Sequence, residues 1–367
     1  MYEAYRGSAE GVGAALGLAP NGLAALDAIG VGDLVRRLGD PMKAIVLQSW
    51  NGRRLAEIGS PGTLEPTRLV MRGDLYRALY DEARRRGIRI EHGKRLTGAD
   101  GGEGSVTARF ADGATATGEL LVGADGIRST VRTLIDPAAP RPRYAGLQGF
   151  GAVSAEAGLV PDTGGKMFMT FGKRAFFGLQ VIGGNAVWFV NLPHPEPLTQ
   201  AEAVARGAER WLEVLAEACA DDRTPALELI RRTDPAELLM TGPMENMPRV
   251  PHWSRGRLVL TGDAAHAPSS SSGQGAALAI ESAVELARCL RDLPLPLPRA
   301  LDRYEELRRP RVEQIIKQTE HTNSNKAAGP VGRVLRDTLM PIGMRLMNQE
   351  KLSRPLRHRI DWSEPAA

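Results

Sequence analysis

Residues 259–277 read VLTGDAAHAPSSSSGQGAA, and the order of residue types in that stretch decides how the rest of the chain is read. Val259 and Leu260 end a short apolar strand, Leu258–Leu260. Gly262 turns the chain, and Asp263 places one carboxylate at the strand's C-terminal end. Open α/β sheets bind ligands at that end. A carboxylate there suits a chain of sugar-like hydroxyls. Four serines follow, then Gly273, Gln274 and Gly275, and a helix expected over 276–291. The two glycines leave the helix N-terminus bare of side chains. A flat, electron-accepting ring can lie against it, and the helix dipole favours negative charge that develops on reduction.

A second stretch has the same grammar. Glu119–Val122 reads as an apolar strand. It runs into Gly123-Ala124-Asp125-Gly126-Ile127-Arg128-Ser129, and a helix begins near Thr130. Before it, Ser105–Phe110 and Thr115–Leu120 alternate around Ala111-Asp112-Gly113, and Ile88–His92 reads as a short strand. Together they form an antiparallel meander. Arg72-Gly73-Asp74 leads into a helix over Leu75–Arg86. Lys43–Trp50 and Arg53–Ile58 form a hairpin about Asn51-Gly52. Asn21 reads as the cap of a helix ending near Ile29.

From Pro137 to Arg249 the pattern changes. Gly146–Val153, Gly165–Thr170, Ala175–Val181 and Asn185–Leu192 read as strands of one sheet. Thr199–Ala220 reads as a single amphipathic helix. Leu293–Pro298 alternates Leu and Pro and reads as non-helical. A helix through Tyr304–Thr322 and a basic, partly helical tail follow.

The chain has 367 residues, 43% apolar and 25% charged, with a net charge of +4. That is ordinary for a globular protein large enough for two domains. Positive and negative residues are mixed, without a basic block interleaved with aromatics. The charge therefore reads as solvated surface that favours an anionic cosubstrate, not nucleic acid. Cys219 and Cys289 make neither a disulfide framework nor a metal set. With no signal peptide and no long apolar run, the expectation is a cytoplasmic protein without membrane contact. Nothing in the sequence fixes an oligomeric state.

The first 22 residues, MYEAYRGSAEGVGAALGLAPNG, carry five glycines. A phosphate-cradling glycine turn needs a buried strand before it and a helix after it. Met1–Arg6 is too short and polar to be that strand, and the spacing at Gly11, Gly13 and Gly17 does not fit. The stretch reads as a glycine-rich connection.

The stretch 259–277, the segment Leu121–Arg132 and Arg72 in Val70–Leu75 together resemble the FAD-dependent aromatic hydroxylases. These are class A flavoprotein monooxygenases of the p-hydroxybenzoate hydroxylase type. The three motifs occur in family order, and the resemblance runs from Glu3 to about Pro310. It implies an α/β fold of mixed α+β character. A three-layer Rossmann-like FAD/NAD(P)-binding domain would carry an inserted, mainly antiparallel substrate sheet and C-terminal helices. The expected divisions are 1–140 and 250–310 for the FAD-binding part, 141–249 for the substrate domain and 311–367 for the helical end. The hairpin at 43–58 would contribute to the substrate side.

The resemblance assigns Glu3, Arg72, Asp125, Gly126, Gly262, Asp263, Pro268, Gly273, Gln274 and Gly275 to the cofactor. Glu3 matches the acid that binds the adenosine ribose, and Asp263 the contact to the ribityl chain. In such proteins a strand, a glycine loop and a helix of about 30 residues precede the Glu3 position. The chain as given starts after them, and weak FAD binding or poor folding is the expectation.

FAD, with NADPH or NADH as cosubstrate and molecular oxygen, would hydroxylate an aromatic or polyketide-like small molecule. NAD(P)H would reduce the flavin, oxygen would add to it, and the hydroperoxide would pass one oxygen to an electron-rich ring. The cofactor carries that chemistry, so no catalytic acid, base or metal is named. A related flavin halogenase or reductase, or a non-catalytic binding remnant, are the alternatives. The chain has no Trp-x-Trp pair of the halogenase kind.

Simpler roles stand beside several of these residues. His266 reads as a structural hydrogen-bonder before a catalyst, and Ser269–Ser272 as loop and cap. Arg128 and Arg132 either steer a phosphate or face solvent. Trp188 and Phe176-Phe177 read as core before pocket.

Overall fold

The computed structural model describes residues 1–7, 15–59, 64–102, 104–154, 158, 160–293, 296–324, 329–346, 350 and 353–366. Gly11 and Gly13 lie outside them. Among the described residues the elements run as follows. β1 (Ala15–Leu18) leads to α1 (Pro20–Ala28) and α2 (Gly32–Arg36). β2 (Asp40–Met42) precedes the hairpin β3 (Ala44–Ser49) and β4 (Arg54–Gly59), and β5 (Thr67–Met71) runs directly into α3 (Arg72–Arg85). The meander β6 (Leu96–Gly101), β7 (Val106–Phe110) and β8 (Thr115–Gly118) precedes β9 (Leu121–Gly123) and α4 (Thr130–Ile135).

Four long strands follow, β10 (Arg143–Ser154), β11 (Lys166–Phe171), β12 (Phe176–Ile182) and β13 (Asn185–Pro193). Then come α5 (Gln200–Ala205), α6 (Ala208–Cys219), α7 (Ala226–Arg232) and β14 (Leu239–Asn246). β15 (Ser254–Arg255), β16 (Leu258–Leu260) and the short α8 (Asp263–His266) lead to α9 (Gly275–Asp292), α10 (Leu297–Ser324) and α11 (Pro330–Leu346).

Two bodies of structure result. The large sheet has the order β14-β10-β13-β12-β11-β3-β4. Its pairings are antiparallel except that β11 lies parallel to β3 from the early hairpin. α5 to α7 cover one face. Trp211, Leu215, Ala218 and Cys219 recur at helical spacing on α6 and bury against Phe150, Leu179 and Trp188. The other body holds β16 parallel to β9, with α4, α9 and α10 packed around them over Val131, Val259, Leu260, Leu278 and Tyr304. α1 packs on α9 through a smaller core of Leu18, Leu23, Leu26 and Ala277.

Four local expectations are corrected. The single helix over 199–220 is two, broken at Gly207, whose φ of 86° only glycine adopts readily. Leu297-Pro298 opens α10, because a proline in the first turn blocks no intrahelical bond. Asn21 does not cap α1. Pro20 opens the helix after Ala19, and the Asn21 side chain turns inward. Ile88–His92 is no strand but one parallel bridge, Tyr2 to Glu91, because its partner segment is short. Strands β1, β2, β5, β6 and β14 and helix α7 are additions that the sequence pattern did not single out.

Candidate functional site

The site is built where β16 and β9 end side by side. Leu258–Leu260 is buried among apolar side chains, so its register is fixed, and the next residues emerge at the sheet's edge. Gly262 turns the chain with φ 58° and ψ −141°. A Cβ there would also meet Ala279 of α9 at 3.2 Å, so the turn needs glycine on two counts. Asp263 follows. Its side chain reaches solvent, yet it is surrounded by enough protein to raise its pKa, with the Arg72 charge opposing that rise. The carboxylate is thus both reachable from solvent and crowded by protein. Arg72, exposed at the first position of α3, stands within electrostatic reach of it.

The N-terminus of α9 is also prepared. Gly273 has φ 59°, and a Cβ added there would meet nothing within 4 Å. At Gly275 a Cβ would meet only Pro268, at 3.8 Å. The Ser272 hydroxyl accepts from Gln274 N at 3.0 Å and fixes the turn. α9 then presents unshielded backbone N–H groups and the positive end of an 18-residue dipole.

The second motif is arranged differently from its expected part. Asp125 accepts from Ser129 Oγ at 2.5 Å, from Thr130 N at 2.7 Å and from Val131 N at 3.1 Å. Both its oxygens therefore serve the start of α4. Gly126, φ 77°, has open space where a Cβ would be. Arg132 is buried, so it does not face solvent. It donates to Ala264 O at 2.9 Å and Ile127 O at 2.6 Å, tying the two motif turns together. Its burial lowers its pKa. Arg128 is exposed and pairs with Glu245 at 2.8 Å.

Glu3 lies on the segment bridged to Glu91. Its own carboxylate accepts from Tyr5 N at 2.9 Å. His266 is buried, 2.8 Å from Ser282 Oγ, and its ring lies tilted against Trp253 with centroids 5.4 Å apart. Burial and the Arg308 charge push its pKa down to about 3, so it is a neutral structural residue. Trp188, Phe176 and Phe177 are buried in the large sheet's cores.

A polar cluster under α9 was not visible in the sequence. Glu281 is fully buried and pairs with Arg308 at 2.7 Å, and it accepts from Arg311 at 2.7 and 2.8 Å. Asn21 donates to the same carboxylate at 2.6 Å and to Gln274 Oε1 at 3.1 Å. The available signal was a glutamate four residues after Ala277 on the apolar face of α9, matched by arginines three apart on the next helix. A charge on a buried stripe needs a partner.

A reachable carboxylate, a guanidinium and a glycine-bared helix start converge where two parallel strands end, which defines a nucleotide-cofactor oxidoreductase fold. The family model described as FAD binding domain matches residues 3–319, and the chain belongs to that family. It is an FAD-dependent monooxygenase of the aromatic hydroxylase class, with NAD(P)H as the usual cosubstrate of the family.

The chain is 29% identical over 324 residues to an FAD-dependent urate hydroxylase of Klebsiella pneumoniae, covering 86% of this chain and 81% of that protein. It is 32% identical over 351 residues to the 3-amino-4-hydroxybenzoate 2-monooxygenase PtnB3 of Streptomyces platensis, covering 91% and 84%. In fold it resembles Klebsiella pneumoniae HpxO complexed with FAD and uric acid. That match has a TM-score of 0.81 and 24% identity over 97% of this chain and 88% of that one.

Proposed function

We propose that this chain hydroxylates a small, electron-rich aromatic molecule, with FAD held at Asp263. The observation that carries the reading is the Asp263 carboxylate itself. It is crowded by protein yet open to solvent, faces the Arg72 charge and adjoins the bare start of α9. The donor and acceptor types fit the cofactor. A carboxylate accepts from hydroxyls of a ribityl chain. Backbone N–H groups at Gly273–Gly275 and the α9 dipole favour an anionic ring edge. Where it binds, FAD supplies oxygen activation and the electron relay from NAD(P)H.

The protein's own part is placement. Gly262 and Gly273 set backbone turns that side chains would strain. Arg132 locks the turn after β9 to the turn after β16, and the buried Tyr304 hydroxyl donates to Leu260 O at 3.2 Å and braces the strand end. Pro268 and Gln274 are buried beside the turn, and Arg72 adds a positive charge that favours an anionic ring. Glu3 is assigned to the adenosine ribose, and Asp125 with Gly126 to the second cofactor turn. The seven-stranded sheet, including the 44–59 hairpin, is assigned to the substrate.

The test is NADPH or NADH oxidation by FAD-supplemented protein against a panel of hydroxylated and amino-substituted aromatics, read by mass spectrometry. A product heavier by one oxygen atom, with the label coming from isotopic dioxygen, supports the reading. Reductant oxidation that no aromatic stimulates and that yields no oxygenated product overturns it.

A further inference from the structure

α10 and the turn at 354–357 border a cavity of about 430 Å³. Arg311, Arg354, Arg357 and His358 line it together with Gln314 and Gln318. Among the described lining residues none is a carboxylate, though Glu281 lies behind Arg311. Arg354 and Arg357 are exposed and meet no acid among the described residues. Arg311 spends Nε and Nη2 on Glu281, but that single carboxylate is shared with Arg308, so the cluster keeps an excess positive charge. His358 Nε2 is a buried atom without a hydrogen-bond partner. Burial lowers the His358 pKa to about 4, with the Arg311 and Arg308 charges adding to the fall against Glu281. With Arg308, Arg311, Arg354 and Arg357 set against Glu281, guanidiniums outnumber carboxylates around the cavity. The chain's charge is biased the same way, since residues 326–367 hold eight Lys and Arg against four Asp and Glu.

We propose that this cavity binds a phosphate dianion carried on a small organic group. Two guanidiniums without a carboxylate opposite them, Arg354 and Arg357, match two negative charges on one tetrahedral centre. Their planar forks can give paired N–H bonds to phosphate oxygens. A carboxylate ligand would leave charge unmatched. The volume exceeds that of a phosphate alone. Gln314 and Gln318, one helical turn apart, and the apolar Ile315 and Pro355 offer a wall for an attached ribose or base. The shared chemistry is a phosphomonoester, and two sources supply it: the 2′-phosphate of NADPH or a free nucleotide.

Calorimetric titration of the full chain, with FAD in excess to fill the flavin site, tests the proposal. The probes are inorganic phosphate, adenosine 5′-monophosphate and adenosine 2′,5′-bisphosphate. Saturable binding that weakens at least tenfold in the Arg354→Ser/Arg357→Ser double variant, with an unchanged melting temperature, supports it. Tighter binding of the bisphosphate than of the other two assigns the site to NADPH. Binding of the 5′-monophosphate as tight as or tighter than the bisphosphate, with inorganic phosphate weaker, assigns it to a free nucleotide, and inorganic phosphate binding as tightly as both nucleotides overturns the organic group. Gln318→Glu, which puts a carboxylate into the lining, is the second variant and is expected to weaken binding likewise. No saturable binding of any probe, or affinity unchanged in both variants, overturns the proposal.

Discussion

Asn21 Nδ2 lies 3.1 Å from Gln274 Oε1, joining residues 253 positions apart at the point where α1 meets the start of α9. The same amide donates to Glu281 Oε1 at 2.6 Å. One buried side chain thus links the turn at the start of α9 to a buried carboxylate two helical turns further on. Replacing it by alanine removes one donor from Glu281 and one from Gln274 and leaves both acceptors buried. Asn21→Ala is expected to cost about 2 kcal/mol, the usual penalty for a buried polar group left unpaired. Thermal unfolding read by circular dichroism checks this. A melting temperature equal to that of the parent protein would refute it.

Asp263 has the opposite character, since no hydrogen bond to its carboxylate holds the fold together among the described contacts. Asp263→Ala should therefore leave the melting temperature of the FAD-free protein nearly unchanged. It should weaken FAD binding by at least tenfold, or about 1.4 kcal/mol. Quenching of flavin fluorescence during titration measures the affinity. Equal affinity in the two proteins would remove Asp263 from the cofactor site.

Gly262→Ala tests the turn itself. The residue has φ 58°, and the new methyl group would sit 3.2 Å from Ala279 Cβ. Strain of this kind costs about 1–3 kcal/mol. Urea unfolding should show that loss with an unchanged slope. An equally stable variant would mean that the turn relaxes freely.

Acid should destabilise the protein from the histidine side. Burial, with the Arg308 charge, holds His266 at about 3. Burial, with the Arg311 and Arg308 charges, holds His358 at about 4. Both lie below the unfolded value of about 6.5. The unfolded chain therefore binds these protons first as pH falls. Their contribution is complete above about pH 6.5 and is lost progressively as pH drops through 6.5 towards 4 and then 3. Each histidine adds a slope of up to about 1.4 kcal/mol per pH unit in that window.

Glu281 acts lower on the scale. Burial alone would raise its pKa, but the Arg311 hydrogen bonds and the Arg308 and Arg311 charges outweigh that and hold it at about 2. Its contribution is present above about 4.5 and disappears as pH falls through 2. Stability curves from pH 7 to 3 should fall more gently for His358→Gln than for the parent. Parallel curves would disprove the His358 assignment.

The fold class and the cofactor were legible because their signals are local. Each motif occupies fewer than twenty consecutive residues. In 259–277 an apolar strand, a glycine, a carboxylate and a glycine-flanked helix start follow one another in the order they hold in space. The strands β10 to β13 were likewise readable, since alternation of side chains along a strand needs no knowledge of the partner strand. The helix break at Gly207 was not readable. A glycine inside an apolar period is compatible with a continuous helix, and only the packing of α5 and α6 selects the positive φ.

The candidate site was legible in part, and Asn21, Arg132 and Glu281 show where that reading stopped. Each is a polar residue whose type states what it can donate or accept but not to whom. Asn21 looked like a cap because capping is the commonest local use of asparagine before a helix. Arg132 looked like a surface or phosphate-binding residue because a guanidinium is costly to bury unpartnered. Its partners, Ile127 O and Ala264 O, include a carbonyl 132 residues away. The sequence by itself determined the class of fold, the cofactor and the order of the two motif turns, because those depend on backbone geometry within one strand–turn–helix unit. Tertiary structure alone decided which polar groups brace those turns. A buried donor is satisfied by whatever acceptor the packed chain brings within about 3 Å, and that is set by contacts between distant segments.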